Sequence, residues 1–333
     1  AAHETLGVMN APLEDEFGRR KRKLRLSVTD RCNFRCPYCM PDKPRWMPAP
    51  ELLSAAELVG LARHFIRSQG ISQIRLTGGE PLLRRELPEI VAGLNALRED
   101  GLSRLSLSSN GVRLAARAGE LAAAGLEDAN ISLDSLDPEQ FARLSRGRYG
   151  LADVLAGIQA AQDAGLGVKL NSVIIRGYNE DQVLPLAHWA RDHGLALRYI
   201  EFMPLDDEAL WSQERVVTAA EIRATLAREG AVSILPSDGS PARQYRLANG
   251  QQIGIIATVT EPFCGDCDRL RVTARGDLFT CLFGKEGTAL KPHLNAPELL
   301  DRTIRSAVAR KPRGYIDSPG YVEREVRMYQ LGG

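Results

Sequence analysis

The chain carries six cysteines, and they fall into two groups of three. Cys32, Cys36 and Cys39 sit in Cys-Asn-Phe-Arg-Cys-Pro-Tyr-Cys, a C-x3-C-x2-C spacing. Cys264, Cys267 and Cys281 are spaced C-x2-C-x13-C. In a reducing compartment structural disulfides are disfavoured, which leaves thiolate metal ligation as the leading use of these residues. A structural zinc site usually takes four protein ligands, and neither group has a fourth Cys or His beside it. A cubic four-iron cluster also has four corners, so three thiolates leave one iron open to a small molecule. Zinc stays the alternative for both groups, more seriously for the second. Two Cys pairs are the usual zinc layout, and here one cysteine is lacking.

What surrounds each group sharpens its chemistry. Thr77-Gly78-Gly79-Glu80-Pro81 follows an apolar run, and its glycines let the backbone approach a ligand closely. Exposed amide and carbonyl groups there would hold a ligand's amino end. A plain strand-to-helix turn has the same composition. Beside the second group lies Asp268-Arg269-Leu270-Arg271. Guanidinium pairs bidentately with phosphate, so two arginines next to a metal centre point to an anionic ligand. The competing reading is a charged strand with its arginines in solvent.

These residues need elements to position them. Strands are expected at 24–28, 73–77, 104–108, 129–133, 168–174 and 197–201, separated by helical patterns. Ser54-Ala-Ala-Glu57 has the capping-box spacing and opens an amphipathic stretch through Leu58, Leu61, Phe65 and Ile66. Ala-rich segments near 114–124, 152–164 and 181–193 read the same way. Strand–helix–strand repetition implies parallel βαβ units. The expected fold is α/β: an incomplete βα barrel, TIM-like with six units, with a doubly wound open sheet as the competing architecture. In both, ligands gather at the C-terminal ends of the strands. After residue 216 the pattern changes to a helix at 219–229, β-like runs at 231–235 and 252–257, the second cysteine segment and a helix near 296–310. The expected organisation is an N-terminal arm (1–20), a partial barrel (21–215) and a second, smaller α/β domain (216–333) ending in a tail.

Bulk properties narrow the partners. Lys and Arg total 43 against 42 Asp and Glu, a net charge of +1, which gives no global pull toward nucleic acid or anionic membrane. The run Arg19-Arg20-Lys21-Arg22-Lys23 is either a basic arm or a solvated lead-in to a strand. No apolar run approaches the ~20 residues of a membrane span. The opening residues lack the basic-then-apolar layout of a signal peptide, so a cytoplasmic location is expected.

The first cysteine motif and Gly-Gly-Glu-Pro together resemble the radical S-adenosylmethionine superfamily. Five stretches make the resemblance specific: residues 25–40, Arg75 to Pro81, Ser132-Leu-Asp-Ser-Leu, residues 263–272 and the terminal Gly332-Gly333. Together they resemble the GTP 3′,8-cyclase family, also known as molybdenum cofactor biosynthesis protein A. That resemblance implies two 4Fe-4S clusters, one on Cys32, Cys36 and Cys39 and one on Cys264, Cys267 and Cys281. It implies that Tyr38, Gly79, Ser132 and Met203 contact S-adenosylmethionine, Tyr38 through its backbone or ring edge against adenine. It implies that Arg25, Arg75, Ser108, Lys169, Arg198, Arg269, Leu270 and Arg271 contact GTP, and that Arg75, Gly332 and Gly333 serve catalysis. The implied reaction takes a hydrogen from C3′ of the GTP ribose and joins C3′ to C8 of guanine. The implied partners are an electron donor, a downstream cyclic pyranopterin monophosphate synthase and a second copy of the chain. Two departures stand out. Ser108-Ser109 replaces a Thr pair, keeping the hydroxyls, and Gln73 stands where the family tends to carry Lys. The alternatives are a radical peptide-modifying enzyme, which usually has more C-terminal cysteines, and a zinc-stabilised nucleic-acid-binding module.

Overall fold

The structure, a computed structural model, describes residues 12–205, 210–237, 239–317, 319 and 326–332. Its strands are β1 (Lys23–Ser27), β2 (Gln73–Thr77), β3 (Arg104–Ser109), β4 (Asp128–Ser132), β5 (Gly167–Ile174), β6 (Ala196–Glu201), β7 (Val232–Ile234), β8 (Arg243–Leu247), β9 (Gln252–Ile256), β10 (Arg269–Val272), β11 (Asp277–Phe279) and β12 (Thr288–Ala289). All belong to one sheet, in the order β12-β11-β10-β1-β2-β3-β4-β5-β6-β9-β8-β7.

The run β10-β1-β2-β3-β4-β5-β6-β9 is parallel throughout. Strands β1 to β6 lie side by side in chain order, with no reversal of direction along the sheet. A doubly wound sheet reverses at its switch point, whereas a barrel winds one way only. Side chains from both β9 and β10, which are not hydrogen-bonded neighbours, line one internal cavity. The sheet therefore curls into an incomplete barrel. The segment after residue 216 supplies β9 to one edge and β10 to the other.

Helices follow the strands: α1 (Ala55–Gln69), α2 (Leu87–Asn95), α3 (Leu114–Ala123), α4 (Pro138–Ser145), α5 (Leu151–Asp163), α6 (Val183–Asp192), α7 (Ala219–Leu226), α8 (Pro297–Ala309) and α9 (Met328–Leu331). The capping box is present at α1: Glu57 N donates to Ser54 Oγ at 3.2 Å, and Ser54 N donates to Glu57 Oε2 at 2.7 Å. Gly70 closes the helix in the left-handed conformation, φ 72°.

Strand alternation decides what faces inward. Leu24, Leu26, Ile74, Leu76, Leu170 and Leu197 are buried in the hydrophobic core between sheet and helices. Their neighbours Arg25, Arg75, Asn171 and Arg198 face the lumen. The apolar core thus lies outside the barrel wall, and the lumen is left for charged side chains. Among the described residues no helix is long and apolar enough to cross a membrane.

Candidate active site

The first cysteine loop leaves the C-terminal end of β1 and is braced by the end of β2. Gly79 N donates to Thr29 O at 2.9 Å, and Glu80 N donates to Arg31 O at 2.7 Å. A Cβ on Gly79 would lie 2.5 Å from the carbonyl oxygens of Asp30 and Arg31, so only glycine fits there. The expectation that this turn offers both amides and carbonyls is corrected: these two amides are spent on the cysteine loop.

Glu80 is fully buried and accepts from Leu82 N (3.0 Å), Ser109 Oγ (2.9 Å) and Asn110 N (2.7 Å), tying β2 to β3. Burial pushes its carboxyl up from the ordinary 4.5 to about 7, against the pull of those donors. With a raised folded-state pKa, the folded chain binds the extra proton between these values. Stability is therefore lost as pH rises through that window, by on the order of 3 kcal/mol. We expect denaturant midpoints at pH 5 and pH 7.5 to show a steeper decline in wild type than in Glu80→Gln. Equal slopes would contradict the assignment.

Three thiols gather in this loop. Cys39 N and Met40 N both donate to Cys36 O, at 2.9 and 3.0 Å, winding the chain so that Cys36 and Cys39 share one turn. Burial and then the Glu80 charge push the Cys32 thiol up to about 12. Burial, Cys39 and Cys32 push Cys36 upward as well. Desolvated thiolates this close are unfavourable without a cation between them, and iron supplies that cation.

One of the expected S-adenosylmethionine contacts, Tyr38, has an unforeseen support. The Tyr38 ring is buried and its hydroxyl donates to Asp134 Oδ2, which leaves its backbone and ring edge for other contacts. Asp134 also accepts from Val173 N at 2.9 Å, and burial pushes its carboxyl up to about 6. Sequence reading missed Asp134, although a carboxylate just past β4 in Ser132-Leu-Asp-Ser is the signal that would have found it. Ser132 is exposed at the end of β4, in register with Asn171. Met203 follows β6 and lines the cavity.

The second cysteine group closes the lumen at the β10 edge. A Cβ on Gly314 would lie 3.0 Å from Cys264 Sγ and 3.8 Å from Cys281 Sγ, so both sulfurs crowd one backbone point. Arg269 Nη2 donates to Cys267 Sγ at 3.6 Å. Burial raises the Cys267 pKa, but Arg269 and Lys311 outweigh it and bring the thiol down to about 6. No disulfide joins any of the six cysteines, all of which lie among the described residues. Among the described residues no three Cys, His, Asp or Glu side chains are drawn onto the one point that a lone ion needs. A cubic cluster is wider than an ion and takes its ligands at separate corners, so its fit is judged on the donor set. Two thiol triplets, each half-buried at a strand end, fit a cluster with one free corner.

Between the two groups lies a cavity lined by Arg25, Arg75, Ser108, Met203, Arg269, Arg271 and the second cysteines. A second cavity continues toward the N-terminal ends of the strands and adds Arg104, Lys169 and Arg198. Arg25, Arg75, Pro241 and Arg269 line both, so the lumen is one passage. Arg25 is in register with Arg75 on one side and Arg271 on the other. Burial first, then the neighbouring guanidinium groups, push Arg25 well below its usual range. The same causes bring Arg271 to about 9 and Arg75 to about 10. Arginine stays charged under such pressure, so the shifts measure unrelieved repulsion in a desolvated site. A polyanion relieves it.

The arginines of β10 therefore face the lumen, and the solvent-facing alternative is excluded. Leu270 between them has its side chain fully buried in the outer core. The basic run 19–23 is no free arm either, since Arg19 and Lys21 are buried and Lys23 pairs with Asp268 at 2.9 Å. Arg104 is a lumen cation that sequence reading missed. It stands in register with Gln73 and pairs with Asp128 at 2.6 Å.

The chain end enters the same lumen. Arg271 Nη1 donates to the carbonyl of Gly332 and, at 3.3 Å, to that of Leu331. A Cβ on Gly332 would lie 1.9 Å from Thr77 Oγ1, beside the Gly78-Gly79 turn. Gly333 lies outside the described residues.

Comparison with known proteins agrees with this arrangement. The Radical SAM superfamily model matches residues 26–190, and the Molybdenum Cofactor Synthesis C model matches residues 195–316. A GTP 3′,8-cyclase of Corynebacterium glutamicum is 42% identical, over 97% of this chain and 90% of that one. One from Xanthomonas axonopodis pv. citri is 41% identical, over 98% of this chain and 100% of the other. One from Paenarthrobacter nicotinovorans is 40% identical, over 96% and 97%. With cysteine triplets at two strand ends, a cationic lumen between them and relatives this similar along nearly their whole length, the chain belongs to the GTP 3′,8-cyclase family of radical S-adenosylmethionine enzymes.

Proposed function

We propose that this chain converts GTP to (8S)-3′,8-cyclo-7,8-dihydroguanosine 5′-triphosphate, the first step of molybdenum cofactor biosynthesis. The observation that carries the reading is the lumen, where guanidinium groups from β1, β2, β6 and β10 share one desolvated passage ending at three cysteines. A triphosphate needs several cations to leave water, and a lumen of such cations needs an anion.

Cys32, Cys36 and Cys39 would hold the cluster whose chemistry, when bound, is one-electron cleavage of S-adenosylmethionine. Gly79 and Tyr38 through backbone, with Ser132 and Met203, would seat that cosubstrate at the strand ends. Arg25, Arg75, Lys169 and Arg198 would bind the triphosphate. Ser108, Arg269, Arg271 and the second cysteine triplet would orient the guanine end. Acid–base work is minor; the residues hold C3′ and C8 in line and keep water out. We assign radical generation and the triphosphate contacts to residues 21–215, and to residues 216–333 the second cysteine triplet with Arg269 and Arg271. We further infer an electron donor, hand-over to cyclic pyranopterin monophosphate synthase, a homodimer and a cytoplasmic location, the last supported by two cysteine triplets of the kind that a reducing compartment keeps available as metal ligands.

Arg104 fits this reading as the outermost triphosphate contact, standing where its strand neighbour Gln73 has no charge to give. Arg104→Ala is expected to raise KM for GTP about tenfold, roughly 1.4 kcal/mol, with kcat little changed. Steady-state kinetics checks it, and an unchanged KM removes Arg104 from the site. The reading as a whole is tested by anaerobic reconstitution and turnover with GTP and S-adenosylmethionine. Formation of 5′-deoxyadenosine with no GTP-derived product would sink it.

A further inference from the structure

We propose that residues 12–21 form a strap that fixes the second cysteine loop, with Asp15, Arg19 and Lys21 as positioning residues for the group held by Cys264, Cys267 and Cys281. The proposal rests on the reading that this triplet holds a cluster.

The strap is a tight antiparallel turn. Glu14 pairs with Arg20, Lys21 N donates to Leu13 O at 2.8 Å and Gly18 N to Asp15 O at 2.9 Å. Alternate side chains point inward, so Leu13, Asp15, Arg19 and Lys21 are all at least nine-tenths buried. Asp15 Oδ2 accepts from Arg19 Nε at 2.7 Å and from Lys21 Nζ at 2.6 Å. One carboxylate thus faces two buried cations, and burying that unbalanced set is costly unless the remaining donors are met.

They are met by the cysteine loop itself. Arg19 Nη1 donates to Cys264 O at 2.7 Å and to Arg313 O at 2.8 Å, and Nη2 donates to Pro312 O at 2.8 Å. Lys21 Nζ donates to Cys267 O at 2.7 Å. Two side chains therefore hold the carbonyls of two ligand cysteines and of the segment that presses Gly314 against Cys264 Sγ. Lys311, also buried, donates to Thr280 O one residue before the third cysteine. Closer in sequence, Cys267 N donates to Cys264 O at 3.3 Å, which ties the first two cysteines in one turn. Charges clamped on backbone oxygens set where the sulfurs point, and they place positive charge behind thiolates that a cluster would keep deprotonated.

The test uses the full chain, reconstituted anaerobically, as Arg19→Ala, Arg19→Lys and Asp15→Asn. The readouts are iron per chain, the electron paramagnetic resonance spectrum with and without GTP, and 5′-deoxyadenosine formation. We expect Arg19→Ala to fall from about eight irons to about four, the content of one remaining 4Fe-4S cluster. It should lose the GTP-dependent spectral change and keep S-adenosylmethionine cleavage within about twofold. Arg19→Lys, which keeps the charge and loses the fork, should retain an intermediate iron content. Asp15→Asn should follow Arg19→Ala. Full iron and a wild-type spectrum in Arg19→Ala would overturn the proposal. So would loss of both clusters together, because the strap would then support the fold at large. A wild-type chain with eight irons but no GTP-derived product would sink the cyclase reading and leave the strap standing; one with only four irons would overturn the strap as well.

Discussion

Removing Gly332 and Gly333 is expected to abolish the GTP-derived product while 5′-deoxyadenosine formation continues. Gly332 sits against Thr77 at the end of β2, with no room for even a methyl group and with φ at +71°. Its carbonyl and that of Leu331 both accept from Arg271, a buried cation that burial and the neighbouring Arg269 push down. Truncation takes those acceptors away and opens the lumen beside the Gly78-Gly79 turn. Arg271 is then free to shift toward any anion present, and the nucleotide loses its alignment. A displacement of about 1 Å at a reacting centre costs on the order of 10²-fold in rate. Gly332→Ala should act in the same direction, because its Cβ would overlap Thr77 Oγ1 and its backbone would be strained. Product formation within twofold of wild type in either variant would remove the chain end from the reaction.

The cysteine triplets should separate by substitution. Cys36→Ala is expected to abolish S-adenosylmethionine cleavage itself, whereas Cys264→Ala should retain cleavage and lose cyclisation. Each variant should fall from about eight irons per chain to about four. The argument is spatial. Cys36 winds the loop braced by Gly79 and Glu80 at β2, while Cys264 abuts Gly314 and the arginine-lined lumen at β10. If Cys264→Ala stopped cleavage as completely as Cys36→Ala, the two triplets would have one task between them.

Much of this was legible in the sequence because it depends on local pattern. Six strand segments were foreseen to within a residue or two at their ends, since alternating apolar residues between turn signals are a short-range property. Their winding into a barrel needed the register of β1 to β6, which no single segment encodes. The reading of β10 was ambiguous for a physical reason. Arg-Leu-Arg-Val has the alternation of a half-exposed strand, and only barrel closure turns the charged face from solvent to lumen. Arg19 and Lys21 misled in the same way: a basic run reads as solvated, yet distant carbonyls of Cys264 and Cys267 accept its protons. Glu80, Asp134 and Arg104 act through partners far along the chain, so spacing gave little sign of their roles. The stretch from 311 was expected as a tail, but Lys311, Tyr315, Tyr329 and Leu331 are buried: Lys311 and Tyr315 line the cavity, and the Tyr329 ring meets Trp46 edge to face.

The most direct test of the central claim follows the hydrogen. Turnover of the reconstituted enzyme with GTP deuterated at C3′ should give 5′-deoxyadenosine carrying that deuterium, in step with a cyclised product. Deoxyadenosine free of deuterium would contradict the claim that this lumen holds GTP with C3′ facing the radical source.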